Sequence, residues 1–280
     1  MGAFIGVIVY QLRVLTLSGL IAATPVLAQD EPLWELGVGM GMQALADYRG
    51  SEQYQAQFLP IPYLVYRGEF LRADDDGIRG LFVETDNFEL NVSADASLNG
   101  NSDDNTLRQG MPELDSAFEV GPSANFNLTG RDFAEGWSLR VPVRAVFVTD
   151  FSSIEHIGYL ANPKFTYESL DWNRWDGSLN LGVVYGSNEY HDYYYSVAPG
   201  YATGDRPAYD AGSGYSGSYF KFGLSRREGR LWYGAYLRYD YLKGVEFARS
   251  PLMETNHFVT VGLGVSWVFA QSKTQVAPLD

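Results

Sequence analysis

Long stretches in which apolar and polar residues alternate are the feature of this sequence that most constrains its fold. In residues 118–128, six apolar side chains share one face, and Glu119, Ser123 and Asn125 lie on the other. A period of two residues is typical of a β-strand with two different faces. The same pattern recurs in residues 88–98, 137–149, 179–185, 231–241 and 259–269. The chain is therefore predicted to be all-β.

The length of these strands separates two all-β architectures. Eleven of the twelve strands predicted below span ten or more residues, whereas strands of a soluble sandwich usually have about five or six. Long strands with one apolar, aromatic-rich face are what an outer-membrane barrel needs to cross lipid at a tilt. A closed barrel also pairs the backbone groups that lipid cannot satisfy. We therefore predict an antiparallel transmembrane β-barrel rather than a soluble sandwich.

Twelve strands are predicted, and parity supports this count. They cover residues 33–44, 57–66, 69–75, 77–86, 88–98, 117–130, 135–149, 156–169, 176–188, 216–228, 231–243 and 257–269. Residues 57–75 are ambiguous, because they fit either a hairpin or one long strand bent near Arg67. Bacterial barrels have an even number of strands, so the hairpin is favoured. With twelve strands, all six Trp lie near the periplasmic end, as a belt at headgroup level requires.

Residues 1–28 are predicted to be a secretory signal peptide. Arg13 precedes the apolar residues 14–23, and small residues place the cleavage between Ala28 and Gln29. An uncleaved anchor is the alternative, but polar residues interrupt the apolar stretch. The predicted domains are the signal peptide (1–28), the outer-membrane barrel (29–269) and a polar C-terminal tail (270–280). The tail is too polar for a strand and is expected to be free to act as a tether.

Charge and composition exclude several functional classes. The chain has 20 Lys and Arg against 34 Asp and Glu, a net charge of −14, which argues against nucleic acid as a partner. It has no Cys, which removes disulfides, thiolate metal sites and Cys nucleophiles. His156, His191 and His257 have acidic neighbours in sequence and are predicted at the extracellular rim. Neither metal-ligand spacing nor a positioned nucleophile accompanies them, so we predict no enzymatic activity, cofactor or metal.

Seven charged residues are predicted to face the barrel interior as a lumen charge network. They are Glu119, Arg140, Arg144, Lys164, Glu168, Arg238 and Asp240. A wide selective pore more often carries one sign of charge, whereas mixed signs pair across a twelve-stranded lumen and fill it. A narrow or occluded barrel is therefore favoured, and an open porin is the alternative.

The predicted outer loops are strongly acidic, with 17 Asp and Glu against five basic residues. A hydrated surface accounts for such a charge. The alternative is that divalent cations bridge these carboxylates to anionic lipopolysaccharide, with the densest clusters at residues 74–76 and at Asp103 and Asp104. Outer-membrane lipid and lipopolysaccharide are therefore predicted partners.

One periplasmic turn offers a candidate partner-binding surface. Arg226, Arg227 and Arg230 lie within five residues, and each can bind a carboxylate in a bidentate manner. The alternative is a tight hairpin whose basic side chains lie near lipid headgroups. Both interpretations place these three residues at the periplasmic face.

Four blocks of sequence carry a resemblance to a known family. They are residues 47–51 with 59–63 and 66–68; residues 102–105 with 110–115; residues 118–122; and residues 208–212 with Ser250-Pro251. On these blocks the chain resembles the MltA-interacting protein (MipA)/OmpV family of Gram-negative outer-membrane proteins. It departs from the family at Ser196, where Gly is common, and in the tail that follows Phe269.

The resemblance implies a non-enzymatic scaffold in the cell outer membrane. Such a scaffold brings a murein lytic transglycosylase together with a penicillin-binding peptidoglycan synthase, and it carries no catalytic residues. Other members of the family resemble adhesins. A small-solute channel and a surface adhesin therefore stay open as alternatives to the scaffold.

Overall fold

Antiparallel strands make up most of the molecule, as the alternating sequence predicts. The computed structural model describes residues 30–74, 77–97, 104–130, 133–150, 152–169 and 174–277. The strands are β1 (Glu31–Pro32), β2 (Trp34–Ala46), β3 (Tyr54–Arg67), β4 (Leu71–Asp74), β5 (Gly77–Glu84), β6 (Phe88–Ser97), β7 (Ser116–Asn127), β8 (Gly136–Thr149), β9 (Ile154–Ala161), β10 (Lys164–Glu168), β11 (Asp176–Gly186), β12 (Gly214–Glu228), β13 (Leu231–Tyr241), β14 (His257–Gln271) and β15 (Gln275–Val276). One α-helix, α1 (Asn188–Tyr195), and two 3-10 turns, Thr106–Arg108 and Pro199–Tyr201, lie in the loops.

Strands β2 to β14 form a closed antiparallel ring. Each strand pairs with its neighbour in sequence, and β14 returns to pair with β2. β9 and β10 together occupy one position in the ring, because both pair with β8 and the register continues from one to the other. Ala161 lies opposite Val143, and three residues later Lys164 lies opposite Arg140. The ring therefore has twelve strands, which confirms the predicted transmembrane barrel and its strand count.

Pro163 explains why the predicted strand 156–169 appears as two pieces. Proline has no backbone N–H and cannot donate to the ladder. Backbone bonds nevertheless continue across the break, since Asn162 donates to the Pro142 carbonyl and Val183 donates to the Pro163 carbonyl. β9 and β10 are therefore one strand whose backbone hydrogen-bond ladder is interrupted at Pro163.

The ambiguous residues 57–75 form a hairpin and not one bent strand. Tyr66 lies opposite Ala73, and Arg67 lies opposite Arg72. The second strand of this hairpin, β4, has only four residues, which is shorter than the predicted 69–75. The β4–β5 hairpin is therefore much shorter than its neighbours.

The two faces of the strands follow the predicted alternation. On β8, Ser138 and Arg140 are buried inside the barrel, whereas the side chain of Val143 is 46% exposed on the outer face. Large apolar side chains cover that face elsewhere: Val38, Met40, Phe58, Phe82, Phe126, Leu181, Leu237, Leu263 and Phe269. An apolar outer surface of this kind suits contact with lipid.

Tryptophan marks one end of the barrel. Trp34, Trp137 and Trp232 open strands that run in the same direction, and Trp267 lies opposite Leu231 at the same end. We call this the Trp end, and the opposite end the loop end. Trp172 lies outside the described residues. Among the parts of the chain that the structure describes, no helix is both long and apolar enough to cross a membrane.

The segments that directly precede and follow the barrel meet at the Trp end. β14 continues to Gln271, two residues past the predicted end of the barrel, and β15 then pairs with β1, with Glu31 opposite Val276. This part of the predicted tail is therefore a short strand held against residues 31–32, rather than a free tether. The predicted signal peptide, its cleavage site at Ala28 and Gln29, and the last three residues lie outside the described residues.

Candidate functional site: the lumen and its plug

Loops fold into the barrel at the loop end and form what we call the plug. It consists of residues 47–53, 104–115, 187–213 and 242–256. Its helix α1 begins after Ser187, whose side-chain oxygen accepts a hydrogen bond from the Tyr190 backbone N–H, the usual role of a serine N-cap. The helix ends at Tyr195, and the N–H of the following Ser196 donates to the Asp192 carbonyl.

An apolar core joins the plug to the barrel wall. Val197, Leu242, Phe247 and Leu252 have no exposed surface. The rings of Tyr195 and Phe247 stack with centroids 3.5 Å apart and planes 5° apart. Residues of the barrel wall belong to the same cluster: Ala46, Ala117, Val146, Val148, Ile157, Leu160, Val184, Tyr219 and Phe258. The plug therefore fills the lumen at this end, which agrees with an occluded barrel.

Helix α1 packs directly against the wall because β9 carries a glycine there. Gly158 has φ +121°, in the region that favours glycine. A Cβ at this position would lie 2.7 Å from the backbone nitrogen of Tyr190. No other residue type fits between the strand and the helix without displacing one of them.

Side-chain hydrogen bonds to backbone carbonyls hold the plug segments to one another. The Tyr48 hydroxyl donates to Leu252 over 2.7 Å, and the Ser250 hydroxyl donates to Tyr195 over 2.6 Å. Arg206 donates to the Leu107 carbonyl over 2.6 Å. Buried carbonyls need such donors, since an unpaired one costs about 1–3 kcal/mol.

A charged cluster ties the plug to strand β13. Arg49 of the first loop lies 3.2 Å from the Asp240 carboxylate, which is fully buried. Arg238 reaches the same carboxylate at 2.6 Å, and its guanidinium lies 4.1 Å from the ring centre of Tyr219. Two guanidiniums on one carboxylate make Asp240 the shared anchor of this cluster.

The other predicted lumen charges gather around β8. Arg144 lies 3.2 Å from Asp95 and 3.6 Å from Glu119, and Arg140 lies 3.5 Å from Glu168. Lys164 lines the same cavity as Arg140 and Arg144. The seven predicted residues are therefore divided between two groups, one at β8 and one at Asp240.

The three arginines predicted at the periplasmic turn have different surroundings. Arg227 faces the lumen, where it lies 3.0 Å from Glu35 and donates to the Tyr63 hydroxyl over 3.1 Å. Arg226 pairs with Glu228, and its guanidinium lies 5.8 Å from the Trp175 ring centre. Arg230 is exposed. Arg226 and Arg230 thus lie at the surface, whereas Arg227 is part of a lumen ion pair.

A second arginine completes the ion cluster at the Trp end. Arg67 lies 3.1 Å from the same Glu35 carboxylate and 2.6 Å from Glu31 of β1. Arg67 also donates to the Pro32 carbonyl over 2.9 Å. The cluster therefore joins the wall to the strand that precedes the barrel.

Histidine 191 is buried in the plug, which corrects its prediction as a residue of the extracellular rim. It is fully buried, its Nδ1 lies 2.5 Å from the Gly212 carbonyl, and its ring packs edge-on to Phe247. Its Nε2 has no hydrogen-bond partner among the described residues. His156 packs between Phe147 and Tyr159. No three His, Asp or Glu side chains of the described residues are grouped to hold a metal ion.

The burial of His191 makes plug stability depend on pH. Burial, together with nearby Arg49, lowers the pKa of His191 below its ordinary value of about 6.5. Unfolded protein then binds more protons, so this stability is full above the ordinary value and is lost as the pH falls through the lower folded-state pKa. We expect the urea midpoint to fall between about pH 7.5 and about pH 5. His191→Phe should flatten this change, and the exposed His257→Gln should not. Equal pH dependence in wild type and His191→Phe would contradict the assignment.

The predicted acidic clusters are only partly described. Asp75, Asp76 and Asp103 lie outside the described residues. In the acidic loop before β9, Asp150 accepts hydrogen bonds from the backbone N–H groups of Ser152 and Ser153. These bonds, with that of the Ser152 hydroxyl, lower the pKa of Asp150 to about 2. The carboxylate is therefore charged across the physiological range, and cation bridging to lipopolysaccharide stays a prediction.

Comparison with known proteins decides the family. The family model described as "MltA-interacting protein MipA" matches residues 38–269, nearly the whole barrel. The chain belongs to the MltA-interacting protein MipA family. This confirms the resemblance seen in the sequence blocks. A comparison with curated protein sequences finds no match.

Solved structures similar to this MipA-family chain are distant. The NanC porin is 9% identical, with 83% of this chain and 98% of that chain covered and a TM-score of 0.37. The CymD monoaromatic hydrocarbon channel is 12% identical, with 86% and 89% covered and a TM-score of 0.36. The toluene transporter TbuX of Ralstonia pickettii is 10% identical, with 86% and 70% covered and a TM-score of 0.24. Likenesses this weak support no argument about function.

Parts of three of the four blocks that carry the MipA resemblance lie in the plug: residues 47–51, residues 104–105 with 110–115, and residues 208–212 with Ser250-Pro251. Asn105 donates to Asp47 over 2.8 Å and to Ser51 over 3.1 Å, and Gly212 accepts from His191. Sequence analysis did not name Arg49, Asn105 or His191 as plug residues. The signal for the first two was present, since each lies in a family block, but nothing in the sequence showed that the blocks contact each other.

Proposed function

We propose that this MipA-family protein is a non-enzymatic scaffold of the cell outer membrane that binds a lytic transglycosylase of the MltA type and a penicillin-binding synthase. The family is described by its interaction with MltA, which supports the first partner. The observation that carries the proposal is the plug, whose buried core of Tyr195, Val197 and Phe247 occupies the lumen. A barrel filled in this way suits an anchor better than a diffusion pore.

Its position in the membrane follows from the two ends of the barrel. Short turns join the strands at the Trp end, whereas the long loops that form the plug lie at the other end. In outer-membrane barrels the short turns are periplasmic and the long loops face outward. The Trp end is therefore the periplasmic face in this proposal, and the partners bind there.

Arg226 and Arg230 are the proposed contacts for partner carboxylates. Arg230 lies in the turn between β12 and β13, and Arg226 is near the end of β12, with a partly exposed side chain. Arg227 follows Arg226 in β12 but is held by Glu35 inside the lumen, so its proposed role is to shape the end of this hairpin. Guanidinium groups suit this task because they bind carboxylates in a bidentate manner.

Affinity for the lytic transglycosylase tests this surface. Truncating both arginines, Arg226→Ser with Arg230→Ser, is expected to weaken binding about tenfold or more, since a charge-assisted hydrogen bond contributes about 1.5–3 kcal/mol. Binding is measured by titrating purified transglycosylase against the folded barrel in detergent. The control, Arg249→Ser, changes an exposed arginine at the loop end and should leave affinity unchanged.

Two results would contradict the proposal. Failure of wild-type protein to bind the transglycosylase would remove the scaffold function and favour a channel or an adhesin. Equal affinity of wild type and the double variant would remove Arg226 and Arg230 as the contacts.

A further inference from the structure

The outer face of the barrel wall carries a depression between β10 and β13, which we call the wall groove. Its volume is about 450 Å³. The outward-facing side chains that line its floor and one side are Pro163, Phe165, Leu181, Val183, Ser218 and Phe220. Large apolar side chains cover the rest of this face, so the groove opens towards lipid.

The strand register explains why a groove forms at this place. Val183 lies opposite Ser218, and its backbone N–H donates to the Pro163 carbonyl, so these three short side chains lie side by side. The next row on the same strands consists of larger side chains, Phe165, Leu181 and Phe220, with exposed fractions of 48%, 43% and 37%. Val183 and Ser218 are half-buried. A low row beside a high row makes the groove.

The groove descends along the wall from the loop end. Tyr241 lies opposite Ser218 and is the last residue of β13 at the loop end. In the other direction, Leu139 lines the groove opposite Phe165, and it is close to Trp137 at the Trp end. Tyrosine at a strand end is typical of the headgroup level of a membrane. The groove therefore begins at headgroup level and continues into the hydrocarbon.

Ser218 places a hydroxyl at the upper end of this apolar groove. The next outward-facing positions of β12 are the apolar residues Phe220, Phe222 and Leu224. In the part of the chain that the structure describes, the Ser218 hydroxyl makes no hydrogen bond. A hydroxyl that faces hydrocarbon without a partner is costly. A ligand that brings a hydrogen-bond acceptor to Ser218 removes this cost.

The charges around the groove favour a ligand without net charge. Lys164 is the one charged residue of its lining, and its side chain faces inward, where it lines the lumen cavity with Arg140 and Arg144. The outward-facing lining thus offers no cation to a phosphate-rich head group. The loops predicted at this end are acidic, which disfavours such a head group further. A zwitterionic lipid avoids both penalties.

We propose that the wall groove binds an ester-linked acyl chain of a zwitterionic phospholipid. The ester carbonyl accepts a hydrogen bond from the Ser218 hydroxyl at headgroup level. The chain then lies over Val183 and Pro163, against the row of larger side chains. From Ser218 to Pro163 it crosses two strand spacings, about 10 Å. This site does not depend on the proposed scaffold function.

A matched pair of lipids tests the hydrogen bond. Ester-linked lysophosphatidylcholine and its ether-linked analogue share head group and chain length, but only the ester has a carbonyl. We expect the first ester molecule to bind the folded protein, as measured by native mass spectrometry, with about fivefold higher affinity than the ether, as expected for one net hydrogen bond. Ser218→Ala should abolish this preference. The control, Ser213→Ala, changes an exposed serine of the plug and should preserve it.

A variant that fills the groove tests the acyl-chain contact separately. Val183→Phe should weaken both lipids equally, by about tenfold or more, because the larger ring occupies the space of the chain. The outer face stays apolar, so the barrel should fold, as checked by the heat-dependent shift in gel mobility. The control, Val38→Phe, makes the same change at an exposed outer position of β2 and should alter neither affinity.

Three results would overturn the proposal. Equal affinity of wild type for the ester and the ether, or a preference that survives Ser218→Ala, would remove the hydrogen bond to the carbonyl. Unchanged binding by Val183→Phe would mean that lipid covers the wall without using the groove. Displacement of the ester by an equal concentration of lipid A, with divalent cations chelated, would mean that a phosphate-rich lipid is the occupant.

Discussion

Phe247→Ala is expected to destabilise the plug by about 3–5 kcal/mol, the usual cost of removing a buried aromatic side chain. Phe247 has no exposed surface, stacks on Tyr195 at 3.5 Å and packs against His191. Hydrogen exchange of the α1 amides measures the effect, because opening the plug exposes that helix. We expect faster exchange in α1 and little change in β13 and β14.

A surface aromatic at the same end of the barrel is the control for this result. Tyr201→Ala changes a partly exposed ring at the loop end. We expect it to destabilise the plug by no more than about 0.5 kcal/mol. If Phe247→Ala accelerated exchange of the α1 amides no more than Tyr201→Ala does, the apolar core would not hold the plug in the lumen.

Val143→Arg is expected to block membrane insertion. Val143 is on the outer face of β8, where a charged side chain costs about 2–4 kcal/mol near the middle of the bilayer. Folding yield in lipid, read from the heat-dependent shift in gel mobility, should fall sharply. Val143→Leu should fold as wild type does, since it keeps an apolar side chain at that position.

The neighbouring residue provides the opposite test of the same strand. Arg144 faces inward, so Arg144→Ala removes ion pairs with Asp95 and Glu119 but places no charge in lipid. Because Asp95 is exposed to solvent, we expect Arg144→Ala to lower the folding yield less than Val143→Arg does. Equal folding yields for the two variants would mean that the assignment of the two faces is reversed.

The sequence predicts the barrel well because its main signal is local. Alternation in residues 137–149 assigns both faces of β8 without any knowledge of the neighbouring strands. Strand extent is harder to predict, since it depends on the partner. The four-residue length of β4 could not be predicted from local pattern, although Pro60 and Pro62 on the neighbouring β3 are a sign of an edge with incomplete pairing.

The plug could not be predicted because its contacts are distant in sequence. Phe247, which stacks on Tyr195, lies 52 positions further along the chain, and Asp240 lies 191 positions from Arg49. The same reason explains Arg227, which was predicted to bind a partner but pairs with Glu35 at the start of the barrel sequence. The alternation along a strand predicts that a charged side chain faces inward, but it does not predict which residue that side chain pairs with.

Single-channel conductance in planar bilayers tests the closed lumen most directly. Wild-type protein is expected to give no stable current steps of porin size. Tyr195→Ala with Phe247→Ala, which removes the stacked pair at the centre of the plug, is expected to give frequent openings while the barrel stays folded. Stable porin-sized steps from wild-type protein, equal to those of the double variant, would contradict the account.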